Sequence, residues 1–334
     1  MVVRLKEVAE RAGVSMKTAS NVINHHPHVR PVTRAKVQAA IDELGYRPNL
    51  AARQLKHGRG GFLALAVPQL DSPYFAELAE RLSAEANRRG YLLLLDMTHA
   101  DHDGERLVLA GMQAHMIDGV IFSPLAVTAE EVAARTDTRP LVLLGERGIP
   151  ADHDYVAVDS YGASRGVAEH LIQIGRRRLA AVGREALEGT ASARLGGFTA
   201  AIDEAGIELL PEHVIDVTGY TREDGAAAMR TLLAGPTRPD AVFCFNDLMA
   251  IGAIRACHQA GVRVPEDVAI VGFDDIPEGR FHTPSLTTVA PDLDALVDQV
   301  LTLLLARIAD RQREAEQVKV SWQLQVREST VGNG

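Results

Sequence analysis

The sequence predicts an all-α helix-turn-helix head followed by an α/β body of two lobes, each built on a parallel sheet. Three observations carry this. Charge is divided: residues 1–60 hold 11 Lys and Arg against 4 Asp and Glu, and the remainder hold 24 against 40. Two short helical patterns joined by G-V-S open the chain. From Gly61 onward, apolar strand-like runs alternate with helical patterns, the signature of parallel α/β architecture.

At 334 residues, 46% hydrophobic and 24% charged, the chain can bury a sizeable core in two or three domains. The N-terminus M-V-V-R-L-K-E is charged early, and no run approaches the roughly 18 apolar residues of a membrane span. A cytoplasmic protein without membrane partners is expected. The two cysteines, Cys244 and Cys257, sit in apolar stretches and are expected as buried thiols, not a disulfide or zinc site. The net charge of -9 hides a basic head, and a basic segment on an acidic chain points to a dedicated polyanion contact.

In the head, Leu5, Val8, Ala9 and Ala12 recur at helical spacing and Gly13 can take the positive φ that ends a helix. Ser15 suits the N-cap of a second helix from Met16 to Asn24, with Ala19, Val22 and Ile23 inward. Met16, Lys17, Thr18, Ser20 and Asn21 then project outward. A third helix runs from about Pro31 to Leu44, inner face Val37, Ile41 and Leu44, and stops at Gly45. Such motifs place the second helix in the major groove, where Lys17 suits guanine, Asn21 adenine, and Thr18 or Ser20 either a base or a phosphate.

The stretch R-P-N-L-A-A-R-Q-L, Arg47 to Leu55, predicts a helix of about two turns, ended by His57, Gly58 and G-R-G-G. Helices below roughly 12 residues are marginal in water, so this one needs support from a symmetry mate and DNA. Leu55 suits an apolar wedge between base steps of a minor groove.

In the body, strands are predicted at G-F-L-A-L-A-V-P, Y-L-L-L-L-D, G-V-I-F-S-P, P-L-V-L-L-G and Y-V-A-V-D. A second set follows at L-A-A-V-G, V-I-D-V-T-G-Y, A-V-F-C-F-N-D and V-A-I-V-G-F-D-D, with L-T-T-V-A-P-D and V-S-W-Q-L-Q-V-R at the end. Ligands of open parallel sheets bind beyond the strands' carboxyl ends, where Asp71, Glu146, Asp159, Asn246, Asp247, Asp274 and Asp275 collect. No G-x-G-x-x-G after a strand, no Walker lysine motif and no G-x-S-x-G elbow occurs, so neither an enzyme nor a cofactor is predicted. The groups His25, His26, His28 and His99, Asp101, His102, Asp103 lack paired cysteines and are expected in solvated loops. Asp274 and Asp275 point opposite ways from a strand end, one toward the cleft and one structural.

Together, L-K-E-V-A-E-R-A-G-V-S, N-V-I-N, I-D-E-L-G-Y-R-P-N, A-R-L-G-G-F, F-N-D-L-M-A-I-G-A, V-P-E-D-V-A-I-V-G-F-D-D and P-S-L-T-T-V resemble the lactose repressor and purine repressor family of bacterial transcription regulators. The resemblance covers nearly the whole chain. It implies a homodimer on a pseudo-palindromic DNA operator, a body like periplasmic sugar-binding proteins, and a repressor governed by a small-molecule effector. It also implies three divisions: a head at 1–46, a hinge at 47–60 and a ligand-binding body at 61–330. The N-lobe would be 61–159 with 289–317, the C-lobe 160–288 with 318–330.

Carried over by position, the base readers fall on Met16, Lys17 and Asn21, and the hinge contacts on Asn49, Ala52 and Leu55. Arg30 stands where relatives often have a serine cap and is assigned to a phosphate. The effector residues fall on Tyr74, Phe75, Arg194, Tyr220, Asn246 and Asp274. Gly145 replaces an aspartate of some sugar-responsive relatives, with Glu146 beside it as substitute. Glu188 replaces an arginine of the purine-responsive type, so a sugar is favoured over a purine. The tail after Trp322 has no leucine heptads, and a dimer is expected rather than a tetramer.

Overall fold

The computed structural model describes residues 3, 5–23, 28–46, 60–111, 116–146, 150, 152–184, 189–217 and 219–332. Two compact units, 1–60 and 61–334, divide the chain.

In the first unit, α1 (Leu5–Ala12), α2 (Met16–Ile23) and α3 (Pro31–Leu44) enclose Val8, Ala9, Ala19, Val22, Val37 and Ala40. Gly13 takes φ +66°, a left-handed value that suits glycine, and the next amide, of Val14, donates to Ala9 O at 3.0 Å. The chain thus turns sharply into α2. Ser15 caps that helix, its Oγ accepting from the Thr18 amide at 3.1 Å. Pro31 opens α3, and Gly45, at φ +61°, closes it. Six small or medium buried side chains, each contributing at most roughly 1.5–3 kcal/mol, make a modest core. The exposed Arg11–Glu43 pair at 2.7 Å adds little to it.

The second unit contains two six-stranded sheets among the described residues. The N-lobe sheet is wholly parallel, in the order β11 (Gln317–Val320), β5 (Asp154–Val158), β4 (Leu141–Leu144), β3 (Ile117–Phe122), β1 (Phe62–Val67), β2 (Leu92–Met97). The C-lobe sheet runs β12 (Trp322–Gln325), β10 (Thr287–Pro291), β9 (Ala269–Phe273), β8 (Ala241–Cys244), β6 (Leu179–Arg184), β7 (Val214–Asp216). Its last strand, β12, is antiparallel to β10. Runs such as V-A-I-V-G-F are buried on both faces because helices cover both sides, which is why they show no period-two alternation.

The chain passes between lobes three times. The first passage is Asp159, which caps α7 (Ser160–Gln173). The second is Asp292, which caps α12 (Leu293–Ala309), and the third is Ser321, between β11 and β12. Asp292 N donates to Ser321 O at 3.0 Å, and Lys319 lies 3.6 Å from Asp159, so the passages are tied together. This corrects the lobe boundaries expected at 288/289 and 317/318, which each fall three residues further on. T-T-V-A-P is one uninterrupted strand, and the aspartate cap after it is what ends the lobe. V-S-W-Q-L-Q-V-R likewise splits: Val320 closes a strand of one lobe and Trp322 opens one of the other.

Candidate DNA-reading face and effector cleft

On α2, Met16 is 54% exposed and Lys17 is also exposed, while Ser20 and Asn21 are half-buried. Thr18 turns back, its hydroxyl 2.9 Å from Ser15 Oγ, and so completes the cap. Arg30 is exposed at the start of α3, with no side-chain cap bond, while its carbonyl accepts from Thr33 and Arg34 at 3.0 Å each. Asn49, Ala52 and Leu55, with His25 and His26, lie outside the described residues.

In the body, the carboxyl ends of the strands gather the predicted effector residues. Tyr74 opens α4 (Pro73–Arg88) after β1, with Phe75 edge-on to it at 5.2 Å between ring centroids. Arg194 comes from α8 (Thr190–Glu204), and its guanidinium carbon stands 3.5 Å from the centroid of the Phe273 ring. One of its nitrogens donates to the Phe245 carbonyl. Asp274 follows directly on β9, at φ +115°. That backbone conformation is strained for a residue with a side chain.

Burial dominates the protonation of the acidic groups here, with neighbouring charge acting on top of it. Burial pushes the Asp274 carboxyl up to about 7, with Arg194 opposing. Burial raises the Tyr74 phenol too, and nearby Asp274 adds to it. Glu146, after β4, is raised by burial against a hydrogen bond from Ser160 and the charges of Arg194 and Lys319. Glu146 Oε2 and Arg194 Nε are both buried without a hydrogen-bond partner among the described residues. Leaving a buried polar atom unpaired costs roughly 1–3 kcal/mol, so these atoms are poised for a polar ligand.

Two predicted residues serve the fold. Asn246 caps α10 (Asp247–Gln259), accepting from the Met249 amide at 2.9 Å, and its amide donates to Tyr220 O at 2.9 Å. Tyr220, at φ +54°, donates its hydroxyl to Gly183 O at 2.5 Å. Of the aspartate pair, Asp275 is bound by Arg327 at 2.6 Å and Arg280 at 2.7 Å, while Asp274 faces the charge of Arg194. Behind them Asp247 is fully buried, accepting from Thr288 Oγ1 at 2.5 Å and the Ile276 amide at 2.8 Å; burial and neighbouring Asp274 raise its pKa well above the ordinary value. Sequence reasoning missed Phe273, Phe245 and Ser160. A phenylalanine closing an apolar strand reads as core, and nothing in the sequence places it beneath an arginine.

The second histidine group is exposed as expected, but His102 and Asp103 lie in a helix and not in a loop. Asp101 caps α5 (His102–Ala110) through the Gly104 amide at 3.0 Å, and His102 pairs with Glu131 at 2.9 Å. Among the described residues no His, Cys, Asp or Glu group is placed to hold a metal ion, and no helix is long and apolar enough to cross a membrane. Cys244 and Cys257 are buried free thiols, both pKa values raised by burial.

Residues 4–49 match the family model for bacterial regulatory proteins of the lacI family, and 168–330 match the periplasmic binding protein-like domain. The PurR transcriptional repressor of Mannheimia succiniciproducens is 33% identical over 97% of this chain and 98% of that protein. The chain belongs to the lacI family of bacterial regulatory proteins. As a lacI-family member it is a DNA-binding, ligand-responsive transcriptional regulator. Among solved structures, the regulator CelR in complex with cellobiose is 32% identical with a TM-score of 0.73, over 98% of this chain and 99% of that one. The lac repressor dimer bound to operator and the anti-inducer ONPF is 25% identical with a TM-score of 0.83, over 99% and 100%.

Proposed function

We propose that this regulator is a homodimeric repressor whose hold on a pseudo-palindromic operator is released by a small sugar-like effector in the cleft between the lobes. The observation that carries this is the set Arg194, Asp274 and Glu146, ionisable and half-buried beside Tyr74 and Phe75. Carboxylates accept from hydroxyls, an arginine donates to ring and hydroxyl oxygens, and aromatics cover the apolar face of a sugar. Similarity to CelR in its cellobiose complex supports a sugar. Tyr220 and Asn246 shape the wall, each keeping the other in place.

Met16, Lys17 and Asn21 read base edges, Thr18, Ser20 and Arg30 support the contact, and Asn49, Ala52 and Leu55 form the conditional hinge at 47–60. Apolar surface supports a second copy: Leu92, Leu94, Leu95 and Met97 are exposed on edge strand β2, and Phe281 is 88% exposed. The protein acts in the cytoplasm, and no catalytic step belongs to the cleft. Effector binding changes the lobe angle, parts the two hinges and removes the support their helices need.

A thermal-shift screen of the full chain against mono- and disaccharides, cellobiose among them, tests the reading, since a ligand of the folded state raises Tm. A sugar that raises Tm and releases operator in a DNA shift assay supports it. Corepression of the purine-repressor type is the second reading, favoured by the identity to PurR repressors. A purine that raises Tm and tightens operator binding would establish that reading instead.

A further inference from the structure

A parallel sheet has two chemically distinct ends. The effector residues Tyr74 and Glu146 follow the ends of β1 and β4 in the N-lobe. At the opposite end, where β4 and β5 begin, a cavity of about 200 Å³ is lined by Arg135, Arg139, Arg307 and Arg311 against two aspartates, Asp152 and Asp154. The surrounding body is acidic, 40 Asp and Glu against 24 Lys and Arg.

The carboxylates here are already taken. Asp154, whose side chain is fully buried, accepts from Arg307 at 2.9 Å, from Arg313 at 3.2 Å and from the Glu316 amide at 2.8 Å. Asp152 pairs with His153 at 2.9 Å. Asp137, just outside the lining, pairs with Arg139 at 2.7 Å. Arg135 spends one nitrogen on the carbonyls of Asp137 and Arg139 and has no ion pair among the described residues. Arg311, exposed at the rim, has none among them either. Burial and the like charge of Arg139 disfavour the Arg135 cation, partly offset by Asp137, a strain that an incoming anion would relieve.

We propose that this cleft is a second ligand site of the repressor, separate from the effector cleft, that binds a small phosphorylated anion through Arg135 and Arg311. Guanidinium forks match phosphate oxygens in pairs, and Arg139 and Arg307, held by their own carboxylates, supply a fixed positive wall. The four arginines reach the cavity from two elements, the loop after α6 (Ala129–Ala133) and the C-terminal end of α12 and the residues beyond it, so an anion between them links those elements.

The test is thermal shift of the full chain with inorganic phosphate, pyrophosphate and glucose 6-phosphate, each against sodium chloride at matched ionic strength. A saturable rise in Tm that is at least tenfold weaker in apparent affinity in the double variant Arg135→Gln, Arg311→Gln, and unchanged in Arg194→Ala, supports the site. Comparing inorganic with organic phosphate shows which carries the affinity. No rise beyond the chloride control overturns the proposal, as does a rise that the double variant leaves intact or that Arg194→Ala abolishes. Loss of operator affinity in the double variant without any phosphate response would assign the cleft to DNA and overturn it too. Circular dichroism of the double variant must match the parent, and the Arg311→Gln single variant, altered only at the exposed rim, gives the same reading if the double variant does not fold.

Discussion

The guanidinium of Arg194 stacks over the ring of Phe273, 3.5 Å from its centroid, and Asp274 is the next residue along the chain. One strand end thus supplies both the platform that fixes the arginine and the carboxylate beside it. A desolvated cation over a ring gains up to about 2 kcal/mol, so the arginine is placed before any ligand arrives. Arg194→Ala is expected to abolish the effector response and leave operator affinity within about twofold, read by DNA shift with and without sugar. Phe273→Leu, which keeps an apolar side chain but removes the ring, is expected to weaken effector binding about tenfold at unchanged operator affinity.

With Asp274 in the proposed effector site, effector binding is expected to depend on pH. Its folded carboxyl is raised to about 7, above the usual value near 4, so the unliganded protein holds a proton there that the unfolded chain has lost. Stability from this group therefore falls as pH rises from about 4 to about 7 and is level above that. A sugar hydroxyl donates to the ionised form, so effector affinity rises through the same window, by up to about tenfold per pH unit, and flattens above pH 7. Asp274→Asn is expected to bind more weakly and to lose this dependence. Calorimetric affinities at pH 5.5, 6.5 and 8 check both statements.

Much of this was legible in the sequence, for reasons that differ by element. The head's caps are local: G-V-S, Pro31 and Gly45 act through neighbouring backbone, so their positions fix the helices. The body's apolar runs signal strands because both faces are covered. Long-range partners leave no such trace. Glu105 reads as a solvated helical residue, yet it is fully buried and accepts from the amides of Leu125, Ala126 and Val127 at 2.7, 2.9 and 2.9 Å. Asn246 is expected in the cleft from its strand-end position and Tyr220 only from the family resemblance, and only the fold reveals that each holds the other. The lobe passages at Asp292 and Ser321 are set by a hydrogen bond between segments 29 residues apart, which no local pattern encodes.

Glu105→Ala strips a charged acceptor from three amides at once. Hydrogen bonds to charged groups contribute roughly 1.5–3 kcal/mol, and the amides cannot all reach water. A loss of about 3 kcal/mol in urea unfolding is expected, with the m value retained.

In the head, Lys17 is exposed on the face of α2 and Ser15 holds the start of that helix. Lys17→Ala is expected to weaken operator binding by about tenfold without lowering the head's Tm. Ser15→Ala removes the cap and is expected to cost about 1 kcal/mol of stability. Fluorescence anisotropy on operator DNA together with melting of each variant separates the two effects.

The central claim is that one sugar-binding cleft and one DNA-reading head share a single equilibrium, and linkage makes this reciprocal. The direct measurement is calorimetric titration of the sugar identified by thermal shift into the dimer of this chain, first alone and then on an operator duplex selected from random sequence. The sugar should bind the operator complex more weakly, by the same factor by which it weakens operator binding. Equal sugar affinity with and without operator would contradict the account.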